Sequence, residues 1–138
     1  MAYSWNSTLE TGHPVIDTQH KELINAFNGF LTACQQGQGA ARIGTTLDYL
    51  TTYTKRHFGD EEALQLKSNY PGYMNHRKCH EDLVKVITEL STELKQTGPT
   101  AMVIQKIIRN VGNWVVDHIQ QQDAKMVAHL KKVEAGVA

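Results

Sequence analysis

The sequence is poor in cysteine, in proline and in net charge, and each shortage excludes something. Two cysteines, Cys34 and Cys79, are too few for a disulfide framework and form no CxxC or other zinc spacing. A reduced, cytoplasmic setting is the default expectation, with both thiols read as partly buried small apolar groups. The 14 basic residues balance the 14 acidic ones. Without a basic excess or a polybasic run, there is no electrostatic case for nucleic acid or a membrane surface as partner. No apolar run approaches the roughly 18 to 20 residues that span a bilayer. The N-terminus lacks the charged-then-apolar layout of a signal peptide. The three prolines, Pro14, Pro71 and Pro99, all stand at breaks in the apolar pattern. At 138 residues the chain has the size of one domain with a substantial core. It contains no internal repeat or low-complexity segment.

Histidine is abundant instead, with seven residues: His13, His20, His57, His76, His80, His118 and His129. Five of them fall on stripes that are otherwise apolar. Between the prolines, apolar residues recur at three- and four-residue spacing, which predicts amphipathic helices. The first is expected from Thr18 to Gln36, with Asp17 or Thr18 as N-cap. The second is expected from Ala40 to Leu66, the third from Pro71 to Gln96 and the fourth from Thr100 to Val133. Short connections between them imply antiparallel neighbours. The expected fold is therefore all-α, an up-down-up-down four-helix bundle over 18–133. An extended N-terminal arm, 1–17, precedes it, with Trp5 and Leu9 tucked onto the core, and a frayed end follows at 134–138. His13 is expected in the arm or at the surface. His129, near a helix C-terminus, suits the helix dipole and is not expected to be a ligand. Gly112, inside the fourth helix, is expected to permit close packing or a slight bend, at a cost of about 1 kcal/mol relative to Ala.

On the second helix His57 and Glu61 stand four apart, where the stripe calls for Leu or Ile. On the third, His76 and His80 do the same. Four-residue spacing stacks two side chains on one helix face. With His20, His118 and Asp123, the inward polar set becomes five imidazoles and two carboxylates. An ionised Glu at a core position is costly to bury without a compensating cation. Seven donors exceed the four that a structural zinc takes. They suit two ions bridged by carboxylates, and nitrogen plus oxygen donors without thiolate suit non-haem iron. Asp123 follows His118 by five residues. On an ideal helix that step turns the side chain well off the histidine's face. Either a bridging ligand approaches from the side or a local π-bulge with i to i+5 bonding brings the two together, and some irregularity is expected there.

Four segments, Ile16-Asp17-Thr18-Gln19-His20, His57-Phe58-Gly59-Asp60-Glu61-Glu62, His76-Arg77-Lys78-Cys79-His80 and His118-Ile119-Gln120-Gln121-Gln122-Asp123, carry a resemblance to bacterial hemerythrin domains. The resemblance covers nearly the whole chain. It implies two non-haem iron ions with a solvent-derived oxo or hydroxo bridge. His76, His80 and His118 would ligate one coordinatively full iron. His20 and His57 would ligate the other, which keeps an open position for O2, and Glu61 and Asp123 would bridge both. Phe58, Trp114, Val115, Ile119, Leu23 and Ile24 lie within a turn of these residues and are candidates for an apolar pocket wall, Ile119 first. Such a wall would keep water out and slow irreversible oxidation.

The function expected is reversible O2 binding rather than catalysis, with at most a weak peroxidase-type side activity. Its use could be sensing, in a larger signalling protein such as a chemoreceptor with a domain upstream, or O2 carriage or storage. The competing reading is a di-iron enzyme reducing peroxide or nitric oxide. Histidine-rich ligation with only two carboxylates weighs against strong oxidative chemistry: the pairs here, His57/Glu61 and His76/His80, are four apart, not the Glu-x-x-His pairs of oxygenase and ferritin-like sites. The neutral surface permits a monomer.

Overall fold

The structure is a computed structural model and describes residues 3–136. Helix α1 spans Pro14–Gln35, α2 Gly39–Lys67 and α3 Tyr73–Thr97. A fourth rod follows in three α segments, α4 Ala101–Ile107, α5 Asn113–His118 and α6 Ala124–Glu134. Five-residue π turns, Ile108–Gly112 and Ile119–Asp123, join them without leaving right-handed helical conformation. The result is an all-α four-helix bundle, with no strand among the described residues. No helix among them is long and apolar enough to cross a membrane.

The start of α1 corrects the expected boundary. The helix begins at Pro14, four residues before Thr18. Proline at the first helical position loses no hydrogen bond, because that N–H has no partner in any helix. His13, expected as an arm or surface residue, is the N-cap, and its Nδ1 accepts from the Ile16 N–H at 3.4 Å. Asp17, expected as a cap, lies inside the first turn. It accepts from the Thr11 N–H at 2.9 Å, the Thr11 hydroxyl at 2.7 Å and the Gly12 N–H at 3.1 Å. These bonds hold the Asp17 carboxyl below its usual range despite the opposing effect of burial.

The described part of the arm lies on the bundle. Leu9 is buried, and Tyr3 and Trp5 pack on the core. Tyr3 exchanges backbone hydrogen bonds with the Asn28 side chain (2.8 and 2.7 Å), and its hydroxyl donates to Asn113 at 2.7 Å. Gly112 permits this closeness. A Cβ there would lie 2.6 Å from the Phe27 ring and 2.8 Å from the Tyr3 hydroxyl. At the other end the helix runs to Glu134, beyond the expected Val133, and a turn occupies 135–136. The remainder of the expected arm and frayed end, residues 1–2 and 137–138, lies outside the described residues.

The apolar core is divided. The larger part includes Leu23, Phe27, Ile43, Leu50, Leu83, Ile87, Ile107 and Val111. A smaller part, Ile16, Met126, Val127 and Leu130, closes the opposite end with Leu64 and Tyr70. The polar set lies between them in sequence register, after Ile16 on α1 and before Met126 on α6. His129 donates from Nε2 to the Ser68 carbonyl at 2.8 Å and fastens α6 to the turn between α2 and α3. Cys34 and Cys79 are free and half-buried.

Candidate metal centre

All seven sequence-predicted residues meet inside the bundle, and each is buried. They form two overlapping groups. Glu61, His76, His80, His118 and Asp123 bring one donor atom each within 4.8 Å of one another. His20, His57, Glu61 and Asp123 do the same. Glu61 and Asp123 belong to both.

The carboxylates stand at the centre. Glu61 Oε2 is 3.4 Å from His20 Nε2 and 3.3 Å from His57 Nε2. Its Oε1 is 3.2 Å from His80 Nε2 and 3.7 Å from His76 Nε2. Asp123 Oδ2 is 3.0 Å from His20 Nε2, and Oδ1 is 2.8 Å from His76 Nε2 and 3.2 Å from His118 Nε2. Each carboxylate thus turns one oxygen to each group. The π turn Ile119–Asp123 is the irregularity expected from the five-residue step. The wider turn returns Asp123 to the face of His118.

Burial alone would push both carboxyl groups up. The surrounding imidazoles overcome it and hold Glu61 and Asp123 well below the usual range. Burial likewise works to lower His20, but Asp123 and Glu61 raise it to about 9. Burial keeps His118 below its ordinary value. Much of the cluster has no directed hydrogen bond. Both His20 nitrogens, both Glu61 oxygens, His80 Nε2 and Asp123 Oδ1 lack a hydrogen-bond partner. Buried polar atoms without partners are costly. Cations receiving lone pairs from both groups would satisfy them, so the donor set fits metal.

The outer nitrogens of three imidazoles are held by residues that the sequence pattern did not single out. His57 Nδ1 is 2.6 Å from Gln19 Oε1, and Gln19 in turn donates to Asp60 at 3.0 Å. The Gln65 amide lies 3.0 Å from His76 Nδ1, and Glu62 Oε2 lies 2.9 Å from His80 Nδ1. Gln65 carried one signal, a polar residue one turn beyond Glu61 on the core face, and it is fully buried. Glu62, the neighbour of Glu61, lies off the apolar stripe of α2. It nevertheless reaches α3.

The sequence pattern of the Hemerythrin HHE cation binding domain matches residues 11–130. The chain belongs to the hemerythrin family. It is similar to a bacteriohemerythrin of Pseudomonas aeruginosa, 30% identical over 89% of this chain and 78% of the relative. It is also similar to the myohemerythrin of Sipunculus nudus and the hemerythrin of Themiste dyscrita. Each of these is 28% identical, over 89% of both chains. The hemerythrin likeness therefore spans the arm junction, all four rods and both donor groups.

A small cavity of about 10 Å³ adjoins the hemerythrin-type cluster. It is lined by His20, His57, His118 and Asp123 and by Leu23, Phe58, Trp114, Val115 and Ile119. Space of that order holds one water-sized molecule. Five of the six expected wall residues face it. Ile24 does not. It lines a separate apolar cavity with Phe27, Leu50 and Gly112. One position beyond Leu23, it points about 100° further round the helix, away from the cluster.

Proposed function

We propose that this chain binds O2 reversibly at a di-iron centre held by His20, His57, Glu61, His76, His80, His118 and Asp123. The observation that carries the reading is the unequal division of donors. One group offers three imidazoles and the other two, while both share the same two carboxylates. Ions in the two groups would be unequally filled, and the small apolar-walled cavity lies against both imidazoles of the poorer one, His20 and His57, and against only one, His118, of the richer. These seven residues would hold iron, which would supply reversible electron donation to O2. The protein's part is to fix the donors, to exclude water through Leu23, Phe58, Trp114, Val115 and Ile119, and to hold the outer imidazole nitrogens through Gln19, Gln65 and Glu62. Membership of the hemerythrin family and the buried donor cluster support the reading. In use it is an O2-sensing module, of a chemoreceptor or similar signalling protein, or an O2 carrier or store.

The test is to load the protein with iron, reduce it without air, add O2, and follow the visible spectrum through evacuation. Reversible appearance of an O2-dependent band is the expected result. Irreversible oxidation, with turnover of added peroxide or nitric oxide, would overturn it in favour of an enzyme.

A further inference from the structure

Each donor histidine has a second nitrogen, and what holds that nitrogen differs around the site. Only His80 has a carboxylate there among the described residues, with Glu62 Oε2 at 2.9 Å from Nδ1. His57 and His76 have the neutral amides of Gln19 and Gln65. The Nδ1 of His20 has no partner. The rings of the three-histidine group are also braced. Phe58 stacks on His80 at 3.7 Å and 3°, and Trp114 stacks on His118 at 4.3 Å and 13°.

An outer carboxylate fixes an imidazole with its proton on the outer nitrogen and its lone pair inward, and it makes that lone pair more basic. In the position with five donors, two of the three imidazoles are therefore held from outside, one of them strengthened by Glu62, and the third, His118, is braced by the Trp114 ring. The position with four donors contains His20, whose ring no outer hydrogen bond orients. Once one divalent ion is bound, Glu61 and Asp123 are partly neutralised, and the second ion meets both a weaker field and a like charge.

We infer that the two metal positions fill in order, the His76/His80/His118 position first, and that Glu62 is the positioning residue that sets this order through its bond to His80. This rests on the two-metal reading above. Glu62 touches none of the inward donor atoms, so its action runs entirely through the imidazole.

The experiment is a titration of the metal-free full chain with Co2+, read by calorimetry and by the visible bands of bound cobalt. Wild type should take up two ions in two resolved steps. Glu62→Gln preserves shape but removes the charge. It should weaken the first step by about 10- to 100-fold and leave the second within a few-fold. Gln19→Ala should do the converse, weakening the second step alone. Unchanged helical circular dichroism in both variants controls for folding. Two ions bound in one concerted step, or equal weakening of both steps by Glu62→Gln, overturns the ordering while leaving the two-metal reading intact. Failure of wild type to bind Co2+, Zn2+ or Fe2+ overturns that reading itself, and the ordering with it.

Discussion

Asp123 Oδ2 stands 3.0 Å from His20 Nε2, across the bundle and from the opposite end of the chain. The contact depends on the π turn Ile119–Asp123. Asp123 is the fifth residue after His118, and a regular α-helix would direct it about 140° away from that histidine.

A π turn of this kind is one residue more than an α-helix needs. Deleting the exposed Gln121 should therefore return the segment to α geometry without disturbing Met126, Val127 and Leu130. The metal-free variant should fold and melt at or above the wild-type temperature. Asp123 would then follow His118 by four residues, with altered aim, and metal affinity should fall. Thermal melts of the metal-free chain and metal titrations check both halves. Unchanged affinity would show that the π geometry is dispensable.

Glu61 lies within 3.7 Å of four imidazoles. Glu61→Gln keeps its volume and removes its charge. Bound iron should fall below two per chain in a colorimetric assay. The metal-free fold should lose about 3 to 5 kcal/mol, because a buried imidazolium is left without its counter-charge. Full iron content in this variant would remove Glu61 from the ligand set.

The pH response of the metal-free chain follows from His20. Its folded pKa, about 9, is above its ordinary 6.5. The stability that protonated His20 contributes is fully present below about pH 6.5 and is lost as the pH rises through about 9. Metal requires the neutral ring, so loading near neutral pH should release its proton, and affinity should rise with pH over that window. Calorimetry in two buffers of different ionisation enthalpy measures the release. Buffer-independent heats would contradict it.

Ile119 is 2% exposed and faces the small cavity. Ile119→Glu places a carboxylate where a bound gas molecule would lie. O2 affinity should fall at least several-fold, or autoxidation should quicken, in the iron-loaded protein. Both quantities unchanged would show that this cavity is not the ligand pocket.

Gly112→Ala tests the seat of the arm. Alanine favours a helix by about 1 kcal/mol, but its Cβ would meet the Phe27 ring at 2.6 Å. Overpacking should win, with a net loss of about 1 to 3 kcal/mol and faster proteolysis ahead of Leu9. A rise in melting temperature would show that Phe27 and Tyr3 move aside freely.

Histidine and acidic residues at helix-face spacing determined, from sequence alone, that the chain makes helices whose inward faces carry metal-type donors. Periodicity is local, and a four-residue step fixes a shared face whatever the helix packs against. The same arithmetic marked the five-residue step at Asp123 as a place to expect an irregular helix. Other features depended on how separate helices approach one another. Leu23 and Ile24 both belong to the apolar stripe of α1, yet only the first faces the site cavity. Glu62 reads as a solvated residue until α3 is packed beside it and His80 comes within 2.9 Å. Pro14 reads as a break until the His13 ring caps the first turn and Thr11 binds Asp17. The π turn at Ile108–Gly112 had one sequence signal, Gly112, whose meaning required Phe27 and Tyr3 in place. Sequence pattern fixes which face a residue occupies, and only the assembled bundle fixes what that face meets.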